Sequence, residues 1–95
     1  MIFYYLDASA WVKRYYRESG TDLVQRLFGT EHKLACASLG FVEVMATLAR
    51  KRKARGIDSV AFEQKSVELE SDWERFIQIQ LSAEAVDLAK VMARR

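Results

Sequence analysis

The chemistry this sequence offers rests on two carboxylates and one hydroxyl: Asp7, Glu43 and Ser9. Asp7 ends an unbroken apolar run over residues 2–6. Glu43 stands about one turn into a helix that follows a second apolar run over residues 34–37. If the two runs form adjacent parallel strands, both acids face one crevice at the carboxyl ends of the strands, where open α/β sheets place ligands. Two carboxylates brought together repel one another, so one takes up a proton or a cation neutralises both. Hard oxygen donors favour Mg²⁺ or Mn²⁺. Such an ion polarises a phosphoryl oxygen and acidifies a bound water, which is what phosphodiester hydrolysis requires. Ser9 is near enough in sequence to steady Asp7 or a metal-bound water. Each residue also has a plainer role open to it. Asp7 and Ser9 suit the N-terminus of a helix, accepting from or bonding to free backbone groups. Glu43 suits a half-exposed acid paired with Arg50.

The elements that must position these residues follow from periodicity. Residues 2–6 read as a strand buried on both faces, as in the middle of a parallel sheet. Helical spacing then takes over to about residue 17, with Ala8, Trp11, Val12 and Tyr15 on one face. A turn at Glu18-Ser19-Gly20 precedes a helix over about 22–29, capped by Thr21, with Leu23, Val24, Leu27 and Phe28 inward and Gly29 as its stop. Residues 34–37 fit a buried strand. Ser38 caps a helix over about 39–54, whose apolar arc holds Leu39, Phe41, Val42, Met45, Ala46, Leu48 and Ala49. Gly56 supplies a stop. Asp58 or Ser59 starts a helix reaching about residue 76. Phe62, Leu69, Trp73 and Phe76 share its inner face, and Glu63, Glu68, Glu70, Asp72 and Glu74 form its solvated faces. Strict alternation over 77–81 marks a half-buried edge strand. Ser82 caps a final helix over about 83–94. Strands alternating with helices imply a parallel sheet in a single α/β domain over residues 1–95.

Composition sets the bounds. Ninety-five residues, 51% hydrophobic and 29% charged, describe one folded domain with a modest core. The net charge of +2 is too small to argue for nucleic acid, but its distribution says more. Lys13, Arg14 and Arg17, with the run Arg50, Lys51, Arg52, Lys53 and Arg55, present a surface for a polyanion; the same run also complements a helix C-terminus. Lys13, Arg14 and Arg50 are the candidate RNA contacts. Cys36 is single and lies in an apolar stretch, which suits a core thiol in a reducing compartment. No stretch has the ~20 apolar residues of a membrane span. A cytoplasmic protein with no membrane role is expected. His32 stands alone in a polar connection, and no serine-nucleophile, phosphate-loop or zinc spacing is present.

The stretch Tyr5-Leu6-Asp7-Ala8-Ser9-Ala10-Trp11-Val12-Lys13 resembles the opening motif of PIN domains, above all the VapC-type toxins of bacterial toxin–antitoxin pairs. Ser38-Leu39-Gly40-Phe41-Val42-Glu43-Val44-Met45-Ala46-Thr47-Leu48 resembles their second acidic motif. The resemblance implies a PIN-like three-layer α/β/α fold with a parallel sheet, C-terminally truncated to about three strands; the family's order places strand 2–6 at the centre, but the further strands on its other side are absent here. It implies an Mg²⁺- or Mn²⁺-dependent endoribonuclease toxin, with RNA as substrate, a cognate antitoxin as partner, and a homodimer or higher oligomer. Asp7 and Glu43 carry over as catalytic metal ligands and Ser9 as the hydroxyl beside them. The family's third and fourth acids fall beyond the matched part, and Asp87 does not match them. The alternative is a non-catalytic PIN-like module that binds an antitoxin partner or RNA. An uncovered apolar edge at strand 2–6 invites a second copy of the chain.

Overall fold

In a computed structural model, the chain is described over residues 3–80. It is a mixed α/β structure of four helices and a three-stranded parallel sheet. β1 (Phe3–Tyr5) leads into α1 (Ala8–Trp11) and a 3₁₀ turn (Val12–Arg14); α2 (Thr21–Phe28) then leads into β2 (Lys33–Ala37). α3 (Ser38–Lys53) and α4 (Ser59–Arg75) precede β3 (Ile77–Ile79). The sheet order is β1-β2-β3, with Tyr4 opposite Leu34 and Cys36 opposite Gln78. Parallel neighbours need long crossovers, and the helices supply them. The helix expected over 83–94 lies outside the described residues.

Strand alternation divides the sheet. Tyr4, Leu6, Leu34 and Cys36 point to one side, where they meet Trp11, Leu27, Phe28, Val44, Leu48 and Leu69 from all four helices. Trp11 is the fully buried centre, stacked on Phe76 at 4.4 Å between ring centroids. The other side carries Phe3 and Tyr5, 60% and 58% exposed, and Ile77 and Ile79, 40% and 41% exposed. The described residues thus form two layers, and a helical layer over this second face is not among them.

Several expectations are corrected here. β1 is an edge of the described sheet, the uncovered edge expected of it, but it is not buried on both faces; β2 is the doubly flanked strand. The apolar run of residues 2–6 hides a period-two split, because aromatic residues stand on both sides. The first helix stops early: Val12–Arg14 tightens to 3₁₀ and the chain turns at Tyr15, yet Trp11, Val12 and Tyr15 still reach the core. On α3 the buried row is Gly40, Val44 and Leu48, while Leu39 and Val42 are exposed. Leu23 is likewise exposed on α2.

The helix ends are set locally. Gly20, at φ 95°, takes the left-handed conformation that starts α2, which a side chain resists there. Asp58 caps α4 by accepting from Ala61 N at 2.7 Å. At Gly40 a Cβ would collide with Cys36 Sγ, so the glycine lets the first turn of α3 settle onto β2. Among the described residues no helix is long and apolar enough to cross a membrane.

Candidate functional site

Asp7 leaves β1 where the strand ends and caps α1. Its Oδ1 accepts from Ala10 N at 2.8 Å and from Ser9 Oγ at 2.8 Å. The backbone donor at Ala10, then the Ser9 hydroxyl, hold the Asp7 carboxyl below its ordinary pKa, and the Lys13 ammonium adds to this. Asp7 is therefore an ionised, oriented carboxylate. The hydrogen bonds that start the helix also fix the orientation of the acid.

Glu43 reaches the same end of the sheet from α3. It lies exposed, one and a half turns past the carboxyl end of β2. Arg50, its expected partner, donates instead to Thr47 Oγ1 at 2.9 Å, and Thr47 Oγ1 donates to the Glu43 backbone carbonyl at 2.8 Å. Among the described residues the Glu43 carboxylate makes no ion pair or hydrogen bond. Cys36 ties the two acids together. Burial pushes its thiol pKa up, and the negative charges of both Asp7 and Glu43 push it further. The buried sulfur beneath Gly40 thus lies within the electrostatic reach of both carboxylates.

A cavity of about 380 Å³ opens beside them. One wall is α3, with Glu43, Thr47, Arg50 and Lys51; the facing wall carries Ser9 and Tyr16. Ser9, Glu43 and Arg50 line one hollow; Asp7, the acid expected to share it with Glu43, is not among its lining residues and adjoins it through its hydrogen bond from Ser9. Lys13 is half-buried and near Asp7 in charge, with its chain against Gly20.

Arg14 has a different task from the RNA contact assigned to it. Its Nε donates to Asp72 Oδ2 at 2.6 Å, its guanidinium lies 4.0 Å over the Phe28 ring, and its side chain is only 18% exposed. Asp72, expected on a solvated face, is 3% exposed. It also accepts from Tyr15 Oη at 2.7 Å and from Arg75 at 3.2 Å, while Tyr15 Oη accepts from Trp11 Nε1 at 2.7 Å. Burial, then Asp72, drives the Tyr15 pKa far above its ordinary value, so the phenol stays a donor. The signal for Asp72 was its spacing: Leu69, Asp72, Trp73 and Phe76 follow helical periodicity on one face. Lys51, expected as one member of the basic run, is paired in the structure with Tyr16. Lys51 Nζ stands 4.3 Å over the Tyr16 ring, and both line the cavity.

Protein-family models, curated proteins and solved structures were each compared with the chain, and none matches it.

Proposed function

We propose that the chain is a metal-dependent endoribonuclease similar to the PIN-domain VapC toxins, hydrolysing RNA phosphodiester bonds at Asp7 and Glu43. One observation carries this reading: Glu43 lines the same cavity as Ser9, the hydroxyl that donates to Asp7 Oδ1, and the charges of both carboxylates reach the buried Cys36 thiol. The donor set fits a small divalent ion. Asp7 is ionised, with both its hydrogen bonds on Oδ1, and Oδ2 has no protein partner among the described residues. Glu43 offers a second unpaired carboxylate. Mg²⁺ commonly takes one or two carboxylates and fills its remaining positions with water and phosphate oxygens. Asp7 and Glu43 would hold Mg²⁺ or Mn²⁺, which supplies charge stabilisation at the phosphoryl group and a more acidic water. Ser9 keeps Asp7 from turning away, and Arg50 attracts the substrate backbone. A cytoplasmic setting, a cognate antitoxin covering the acids, and a homodimer formed over the exposed Phe3 and Tyr5 edge go with this reading.

The test is cleavage of single-stranded RNA with Mg²⁺ or Mn²⁺ by the wild-type chain, Asp7→Asn and Glu43→Gln. Cleavage by the wild type alone is expected. Equal cleavage by all three, or none by the wild type with either ion, sinks the proposal. A second reading, a non-catalytic module binding an antitoxin or RNA, draws on the donor count. Among the described residues no group of three or more acidic, histidine or cysteine side chains gathers to hold a metal. Partner or RNA binding that survives EDTA, without cleavage, would select it.

A further inference from the structure

We infer that Arg50 and Lys51 form a preset anchor for a second phosphate, away from the scissile one, so that the site takes a short single-stranded oligonucleotide rather than a dinucleotide. The inference deepens the ribonuclease reading and takes from it the position of the scissile phosphate at Asp7 and Glu43. Glu43, Thr47 and Arg50 stand at i, i+4 and i+7, one row along the cavity wall of α3. Both cations are already held. Arg50 donates to Thr47 Oγ1, which leans its guanidinium back toward Glu43. Lys51 is pinned by its ammonium over the Tyr16 ring, a cation–π contact of 4.3 Å. Neither is consumed by a carboxylate: the ion pairs among the described residues are those of Arg14, Arg17 and Arg75. Glu18 also lines the cavity and pairs with neither cation. Cations held without a counter-charge, along one wall of a cavity with an acidic end, are suited to a backbone that carries several phosphates.

The helix sets the register. Seven residues separate Glu43 from Arg50, a rise of ~10 Å along the axis. Stacked single strands advance ~3.4 Å per nucleotide, so the wall spans about three nucleotides. The backward lean of Arg50 shortens this. The anchored phosphate thus lies within about three nucleotides of the cleavage point, and a dinucleotide, with one internal phosphate, cannot reach both ends. Tyr16 is a positioning residue that acts through Lys51.

The experiment measures binding and cleavage separately. Fluorescence anisotropy without divalent ions follows labelled RNA of two, four and eight nucleotides, from 50 to 200 mM salt, on wild type, Arg50→Gln/Lys51→Gln, Tyr16→Leu and Tyr16→Phe. Affinity is expected to step up between two and four nucleotides in the wild type, and the step should vanish in the double variant. Two lost phosphate contacts lower the single-strand salt slope by about 1.4, so over that fourfold salt range the wild type should lose about 7-fold more affinity than the double variant. Tyr16→Phe keeps the ring and should behave as wild type, while Tyr16→Leu should lose part of the step. A double variant with the wild-type slope and length dependence overturns the anchor, as does equal displacement of RNA by a poly-glutamate peptide, which would mark an acidic protein partner. Circular dichroism checks the fold; Arg50 is exposed and Lys51 half-buried, so glutamine is tolerated at both. Because binding is read without metal, a wild type that cleaves with Mg²⁺ or Mn²⁺ but shows no length step refutes this inference alone. An intact length step without metal-dependent cleavage refutes the nuclease reading alone.

Discussion

Replacing Asp72 by alanine tests the core of the structure and the reassignment of Arg14 together. Asp72 accepts from Arg14 at 2.6 Å, Tyr15 at 2.7 Å and Arg75 at 3.2 Å while 3% exposed. Removing one partner of a buried ion pair costs ~3–5 kcal/mol, because the other charge is left behind. Arg14 keeps Gln25 at 2.8 Å and the half-exposed Glu68 at 3.4 Å, which places its share at the low end. The Tyr15 hydroxyl then lacks an acceptor in the core, an orphan donor worth ~1–3 kcal/mol. These terms share one network and do not add in full, so the expected loss is ~3–5 kcal/mol. A domain of this size has ~5–14 kcal/mol in total. At ~4–8 °C per kcal/mol, Tm should fall by at least ~12 °C. Urea unfolding followed by tryptophan fluorescence reads the change directly, since Trp11 donates to Tyr15 in the same network. The double variant Arg14→Met/Asp72→Ala should cost less than the sum of the two single variants, with a coupling of ~1–3 kcal/mol. Asp72→Ala losing under ~1 kcal/mol, or strict additivity with Arg14→Met, refutes the reasoning. Arg14→Gln should lower stability and leave the salt slope of RNA binding unchanged; a fall of ~0.7 in that slope would return Arg14 to the RNA surface.

Gly40→Ala drives a methyl group into Cys36 Sγ and should destabilise by ~1–3 kcal/mol; adding Cys36→Ala should recover part of the loss, a recovery absent if α3 merely shifts. Ser9→Ala removes the side-chain hydrogen bond to Asp7 but not the one from Ala10 N, so metal affinity by titration calorimetry should fall ~10-fold with Tm nearly unchanged; unchanged affinity would confine Ser9 to the helix start. Because the folded pKa of Asp7 is lowered, its stabilisation is full above its ordinary value of 3.8 and disappears as pH falls through the folded value. The Tm gap between wild type and Asp7→Asn should therefore hold at pH 7 and pH 5 and close only below about pH 3.8; closure already at pH 5 would contradict the ionised, hydrogen-bonded carboxylate.

The fold was legible where one force acted alone. Strand and helix order followed from the alternation of apolar runs with helical spacing, and Asp58, Gly29 and the turn near Gly56 ended elements within a residue or two of expectation. It was misread where residue type gave no side. Phe3, Tyr4 and Tyr5 are all aromatic, so hydropathy could not tell the buried Tyr4 face from the exposed Phe3 and Tyr5 face; pairing with β2 made that choice. On α3 the helix packs through Gly40, the residue with no side chain, because Cys36 demands a close approach. That turns the buried row onto Val44 and Leu48 and turns Leu39 and Val42 outward.

The same rotation decides the site. With Gly40, Val44 and Leu48 against the sheet, Glu43 flanks that row at the rim of the cavity that Ser9 also lines, unpaired with Arg50, and Thr47 and Arg50 follow on its row. Asp7 was legible as a helix cap at the end of a strand, and the hydrogen bonds of that cap hold it ionised. Arg14 was not legible, because a basic residue in a basic sequence gives no sign that a single acid 58 positions later is buried to receive it. Charge patterning thus separated the surface cations poorly. What separates them is whether a carboxylate already holds them: Arg14 is spoken for by Asp72, whereas Arg50 and Lys51 are held by a hydroxyl and a ring, neither of which cancels their charge.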